Sequence, residues 1–192
     1  MNSSNELVEA LAPVIAAFEQ LQISHCIGGS IASSFHGAAR ATMDVDVLCD
    51  ISKDLIADFL KFFGTDYYVS EPAVRDAVER RSCFNLIHIP TAFKIDVFVS
   101  EGRPFDSIRM QRATREDLGE DRVISVPMTS LEDVIISKLE WFRKGNETSE
   151  RQWNDVSRLA RLMGESIDLV YLRDAAESVG VADLLNRLLE QV

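Results

Sequence analysis

The sequence predicts an α/β (α+β) protein. A small mixed β-sheet with flanking helices is expected over residues 1–126, and a helical portion packed on that core over 127–192. Three observations carry this prediction. Short apolar runs with strand periodicity alternate with helical spacing in the first two-thirds of the chain. After Pro127 only helical spacing remains. No stretch between the two parts is rich enough in Gly, Ser or Pro to separate them as independent units.

Taken in order, Leu7, Leu11, Val14, Ile15, Phe18 and Leu21 recur at three- and four-residue steps, which predicts an amphipathic helix capped by Ser4 or Asn5. The apolar run Ile23–Ile27 reads as a strand, stopped by Gly28-Gly29, and a helix fits Ser30–His36 with Gly37 closing it. Met43–Leu48 alternates acid with apolar residue, so Asp44 and Asp46 share one face of a strand. Helical spacing returns at Leu55–Phe63 and around Val74–Arg80. Cys83–Ile89 and Phe93–Val99 flank Pro90-Thr91-Ala92 and read as an antiparallel hairpin, and Val123–Val126 fits a further short strand. Thr129 or Ser130, with Glu132-Asp133 behind it, caps a strong helix Leu131–Phe142. Three more helices fit residues near 149–163, 168–179 and 181–190.

Composition narrows the function classes. The 192 residues are 46% hydrophobic, which excludes disorder, and carry a formal charge of −11, which disfavours a generic duplex nucleic-acid binder. Met1–Glu6 has no basic region, and no apolar run approaches the roughly 18 residues of a membrane span. The expectation is a cytoplasmic protein, neither exported nor inserted in a membrane. Cys26, Cys49 and Cys83 show no CxxC spacing and read as reduced core thiols. Charge is also unevenly placed. Residues 101–115 carry Arg103, Arg109, Arg112 and Arg115 against two acids, and residues 138–161 carry six cations against four acids. Such islands are either solvated helix faces or two sides of a site for a small anion.

The chemistry-bearing stretch runs from Ile27 to Asp46. On a strand, residues i and i+2 lie about 6.5–7 Å apart on one side, and two carboxylates that close repel unless a cation lies between them. An Asp-x-Asp strand alone is equally the polar face of an edge strand. Asp96, inside the otherwise apolar run Phe93–Val99, shifts the balance, because an acid there needs a partner. If its strand lies beside Met43–Leu48, Asp44, Asp46 and Asp96 form a three-carboxylate site able to hold two metal ions. Gly28-Gly29 lets the backbone approach a phosphate at a helix N-terminus, and Ser30 adds a hydroxyl.

Gly28-Gly29-Ser30, then Arg40-x-Thr42-x-Asp44-x-Asp46, then the distant Asp96 resemble the signature of the DNA polymerase beta-like nucleotidyltransferase superfamily. The Arg-x-Thr-x-Asp-x-Asp stretch further resembles the AbiE-type abortive-infection branch, as do Leu131–Leu139, with Lys138, and Trp153-Asn154-Asp155-Val156. The resemblance spans about residues 24–160 and is strongest at the acids. It implies transfer of a nucleoside monophosphate from an NTP to a hydroxyl acceptor, with release of pyrophosphate. Asp44, Asp46 and Asp96 would hold Mg²⁺ or Mn²⁺, with Asp96 helping to activate the acceptor. Gly28, Gly29, Ser30, Arg40, Thr42 and Lys138 would bind the nucleotide, and Asp155 is a weaker candidate. Small molecules, tRNA and proteins all serve as acceptors in the superfamily, and a cognate partner protein is implied. Two other readings compete: a nucleotidyltransferase-like binding partner in a toxin–antitoxin system with little turnover, and a metal-dependent phosphohydrolase, which lacks the expected further His or acid cluster.

Lys138 lies about 40° beyond Val134 on a helical wheel, bordering the apolar stripe, so its ammonium is expected at the seam between the two parts. His36 reads as a helix-end imidazole, and His25 and His88 as core or edge residues. Trp141 and Trp153 fall on packing faces, so core positions are expected for both.

Overall fold

The computed structural model describes residues 3–38, 43–164 and 167–191. Arg40 and Thr42, two of the expected nucleotide-binding residues, lie outside the described residues. Helix α1 (Ser3–Gln20) is followed by β1 (His25–Ile27), α2 (Gly29–Phe35) and β2 (Asp44–Cys49). A 3₁₀ turn at Lys53–Leu55 leads into α3 (Ile56–Leu60), then β3 (Tyr67–Val69), α4 (Glu71–Arg80), β4 (Cys83–His88) and β5 (Phe93–Val99). Then come α5 (Pro104–Arg112), β6 (Thr114–Leu118), β7 (Ile124–Met128) and the helices α6 (Leu131–Lys144), α7 (Glu150–Ala160), α8 (Leu169–Ser178) and α9 (Ala182–Leu189). No helix of the described residues is long and apolar enough to cross a membrane.

The seven strands form one mixed sheet in the order β3-β4-β5-β2-β1-β7-β6. The β2–β5 and β1–β7 pairs are parallel, and the other four are antiparallel. Along β5 burial alternates strictly: Phe93, Ile95, Val97 and Val99 are buried, while Lys94, Asp96 and Phe98 are partly exposed. The buried face is covered by α1, α3 and α4. Phe18 of α1 stacks on Phe59 of α3, which meets Phe84 of β4 edge-on. Phe84 in turn pairs across the ladder with Val97. The opposite face, toward α2 and α6, carries the acids. A single apolar core runs through both parts of the chain, from Leu11 to Leu188.

Several boundaries differ from the sequence reading for identifiable reasons. Helix α1 starts at Ser3, so Asn5 lies inside it and bonds instead across the fold to Asp121 at 2.8 Å. Ser130 does cap α6, accepting from the Asp133 N–H at 3.2 Å. Strands β3 and β6 and helix α5 lack a periodic apolar signal. β3 is three residues long, and β6 (Thr-Arg-Glu-Asp-Leu) has no fully buried residue because both are edge strands.

Candidate active site

Parallel pairing of β2 with β5 sets Asp46 opposite Asp96 and Asp44 opposite Lys94. Strand alternation then puts all four side chains on one face. The three acids that the sequence separates by fifty residues therefore meet on two adjacent strands. Lys94, which the sequence reading passed over, stands among them: its ammonium lies 2.8 Å from Asp96 Oδ2 and 3.6 Å from Asp44 Oδ1.

The β1–α2 turn is built against Asp46. The Gly28 N–H donates to the Asp46 carbonyl at 2.9 Å, and the Ser30 N–H donates to the Asp46 carboxylate. Gly29 has φ +55°, and a Cβ there would overlap that carboxylate. A Cβ on Gly28 would come within 2.5 Å of Arg109 Nη2. Both glycines thus make room for protein side chains, a different reason from the expected close approach of a phosphate. Burial pushes the Asp46 carboxyl up, and the neighbouring Asp96 and Asp44 push it further, while the Ser30 N–H and the Lys138 charge pull it down.

A cleft of about 730 Å³ opens between this sheet face and helices α6 and α7. Gly29, Ser30 and Asp46 belong to its lining, while Asp44 and Asp96 do not. Arg103 and Arg109 enter from α5 and its N-terminus, Lys138 and Lys144 from α6, and Arg151 from α7. These cations come from the two basic islands of the sequence, brought to one cavity. Lys138 has the expected place at the seam: it lines the cleft and lies 3.7 Å from Asp155 Oδ2, which lines it as well. Arg109 was missed as an individual residue. It donates to Ser137 Oγ at 3.0 Å beneath the Gly28 turn, and its Nε is buried without a hydrogen-bond partner.

The Glu132-Asp133 pair that opens α6 does structural work away from the cleft. Asp133 is fully buried, accepts from Ser130 Oγ at 2.7 Å and from the Tyr171 hydroxyl, and faces Arg112 Nε at 3.8 Å. The Arg112 guanidinium lies 3.7 Å over the Tyr171 ring. Glu132 accepts the Asp168 N–H at 3.0 Å, just ahead of α8. One buried carboxylate pair therefore joins α5, α6 and α8.

Two expectations need correction. Trp141 is 50% exposed and lines the cleft, whereas Trp153 packs on Phe142 as expected. Amphipathic spacing cannot separate a core stripe from a cleft wall, because both turn away from bulk solvent. Cys26 and Cys49 are buried free thiols, but Cys83 is exposed at the cleft lining. The histidines behave as expected: His25 and His88 are buried, and His36, at the C-cap of α2, bonds the Thr129 carbonyl at 2.8 Å.

The donor chemistry fits a divalent, oxygen-seeking cation: three carboxylates on one face, two of them direct cross-strand partners, with the Asp46 carboxyl pushed up by burial and by Asp96. Among the described residues no three ligating side chains converge on one point as they stand. Lys94 spans two of the acids, and a bound cation would displace it.

Residues 27–187 match the family described as "Nucleotidyl transferase AbiEii toxin, Type IV TA system". No curated protein matches the sequence. Among solved structures, an antigenic nucleotidyltransferase-like protein from Paracoccidioides brasiliensis is similar at TM-score 0.56 and 20% identity, over 98% of this chain and 94% of that one. The antibiotic-resistance factor ANT(2″)-Ia gives TM-score 0.48 and 13% identity over 96% and 92%. JHP933 from Helicobacter pylori gives 0.42 and 11% over 100% and 96%.

Proposed function

The chain belongs to the AbiEii nucleotidyltransferase toxin family, and from that premise we propose that it is a Mg²⁺-dependent enzyme that moves a nucleoside monophosphate from an NTP to a hydroxyl acceptor. The observation that carries this reading is the Asp46–Asp96 cross-strand pair, with Asp44 on the same face and Asp46 lining a cleft that Arg109 and Lys138 also line.

In this reading Asp44, Asp46 and Asp96 hold the metal. A divalent cation there supplies charge neutralisation at the triphosphate and makes the acceptor hydroxyl easier to deprotonate. Gly28, Gly29 and Ser30 bind the β- and γ-phosphates, and Arg40 and Thr42 belong to the same nucleotide-binding set. Lys138, from α6, and Arg109, beneath the Gly28 turn, offset the triphosphate charge. Asp155 holds the Lys138 ammonium in place, 3.7 Å away. The acceptor oxygen bonds to the α-phosphorus, the bond to the α–β bridging oxygen breaks, and pyrophosphate departs. The acceptor proton passes to Asp96 and on to water. The acceptor is a small molecule, tRNA or protein hydroxyl, and membership of a toxin–antitoxin family supports a cognate protein partner.

A second reading, a scaffold with little turnover, draws on Lys94. Its ammonium already neutralises Asp96 and Asp44 without any metal. Pyrophosphate release measured with each NTP, with and without Mg²⁺, separates the two. Mg²⁺-dependent release that disappears in Asp46→Asn supports the enzyme; nucleotide binding without release supports the scaffold. Transfer of label from α-labelled NTPs onto cell extract then reports the acceptor class.

A further inference from the structure

The cleft lining combines two kinds of group. Ser30, Asp46, Arg109 and Lys138 offer charge and hydrogen bonds. Phe98 and Trp141 add an aromatic wall, with ring centroids 5.8 Å apart and planes at 64°, beside the Arg103–Glu140–Lys144 ion pairs. Phe98 follows Asp96 by two residues on the same strand face, and Trp141 follows Lys138 by three on α6. Three residues of helix rise about 4.5 Å, so the indole stands roughly one turn beyond the ammonium.

A half-exposed tryptophan on a cavity wall calls for an explanation. It leaves apolar surface in water where the fold could have covered it, and its edge-on contact with Phe98 fixes the ring's attitude. The Lys144 ammonium lies over the indole face, 5.3 Å from the ring centroid, and pairs with Glu140 at 3.1 Å, so a ligand stacking on that face displaces a half-exposed lysine. Flat aromatic ligands stack on such a surface, and every nucleobase has a π-face.

Resting on the nucleotidyl-transfer reading, we infer that Trp141 is the stacking platform for the nucleobase of the donor NTP. With the phosphates held between Ser30 and Lys138, the ribose spans one helical turn and delivers the base to the indole. A donor NTP carries both an anionic chain and an aromatic ring, and so matches both kinds of group in the lining. A platform that binds through stacking alone accepts all four bases, so choice among NTPs must come from contacts to the base edge.

The chain has two tryptophans, so Trp153→Phe leaves Trp141 as the sole indole reporter. Its fluorescence is titrated with ATP and with inorganic tripolyphosphate, both with Mg²⁺, and calorimetry follows binding in parallel. ATP should quench the emission saturably, and tripolyphosphate should compete for binding without quenching. Trp141→Ala should weaken ATP about tenfold and tripolyphosphate hardly at all, with Trp141→Phe recovering part of the loss. ATP that binds without changing the emission, or a Trp141→Ala loss equal for both probes, overturns the platform and leaves the nucleotide reading standing. Failure of both probes to bind the unmodified protein overturns the nucleotide reading and the platform together.

Discussion

Gly29 and Asp46 fit one another through an absent atom: a Cβ at position 29 would overlap the Asp46 carboxylate. Gly29 also sits at φ +55°, which costs an L side chain about 1–2 kcal/mol. Gly29→Ala should therefore lower stability by about 2 kcal/mol or more and abolish nucleotidyl transfer, because the acid must move. Thermal melts and pyrophosphate release on the purified variant check both halves.

Asp46 carries an unfavourable charge in the folded protein. Burial and two neighbouring carboxylates all oppose its ionisation. Asp46→Asn keeps the volume and removes the charge, so the inactive variant should melt higher than the parent by roughly 2–4 °C near neutral pH. Differential scanning calorimetry in metal-free buffer reads the shift. A lower melting temperature would mean that the Ser30 N–H bond outweighs the crowding.

Lys94 and a divalent cation compete for the same oxygens. Lys94→Met removes the resident charge from a partly exposed side chain, so metal affinity without nucleotide should rise roughly fivefold. Mn²⁺ titration followed by electron paramagnetic resonance measures this directly. An unchanged affinity would place the metal away from Asp96.

Lys138 lines the cleft with only 19% of its side chain exposed. Lys138→Met preserves the stem's packing and removes the ammonium, so ATP affinity should fall roughly tenfold with little change in melting temperature. Calorimetric titration with Mg²⁺–ATP is the check. A large stability loss at full affinity would return Lys138 to a purely structural role.

Burial pushes Glu140 upward, but hydrogen bonds from Arg103 at 2.5 Å and from Lys144 outweigh it, leaving the carboxyl below its ordinary value of 4.5. A group depressed in the folded state contributes stability above its unfolded value and loses it as pH falls through the folded one. Glu140→Gln should thus be less stable than the parent at neutral pH, and the gap should close as pH drops below 4.5. Urea titrations at several pH values trace it.

The site's acids were legible because strand alternation is written locally: Asp44-Val45-Asp46 and Ile95-Asp96-Val97 each show an acid against a buried neighbour. The Ser130 cap was legible for the same reason. Arg109, Lys94 and Trp141 were not, because their roles are set by partners remote in sequence: Gly28 for Arg109, Asp44 for Lys94, Phe98 for Trp141. Helix α5 escaped because Pro104–Arg112 buries only Phe105 and Asp106, and a charged segment with so small an apolar footprint has no visible period.

The parallel β2–β5 ladder also sets a problem of fidelity. A one-residue slip would turn the acids of the slipped strand into the core and is forbidden by hydrophobicity. A two-residue slip is different. It would still bury Val45, Val47, Ile95 and Val97, yet it would set Asp46 against Lys94 or Phe98 and dissolve the acid pair. The core is nearly blind to that error, so the ends of the ladder must forbid it. There the Arg81 guanidinium donates to the Asp50 carboxylate and to the Ser100 carbonyl, each at 2.9 Å, tying the residue after β2 to the residue after β5. That clamp depends on side-chain identity, as a backbone ladder does not, so substitutions at Arg81 or Asp50 can silence the protein while leaving it folded.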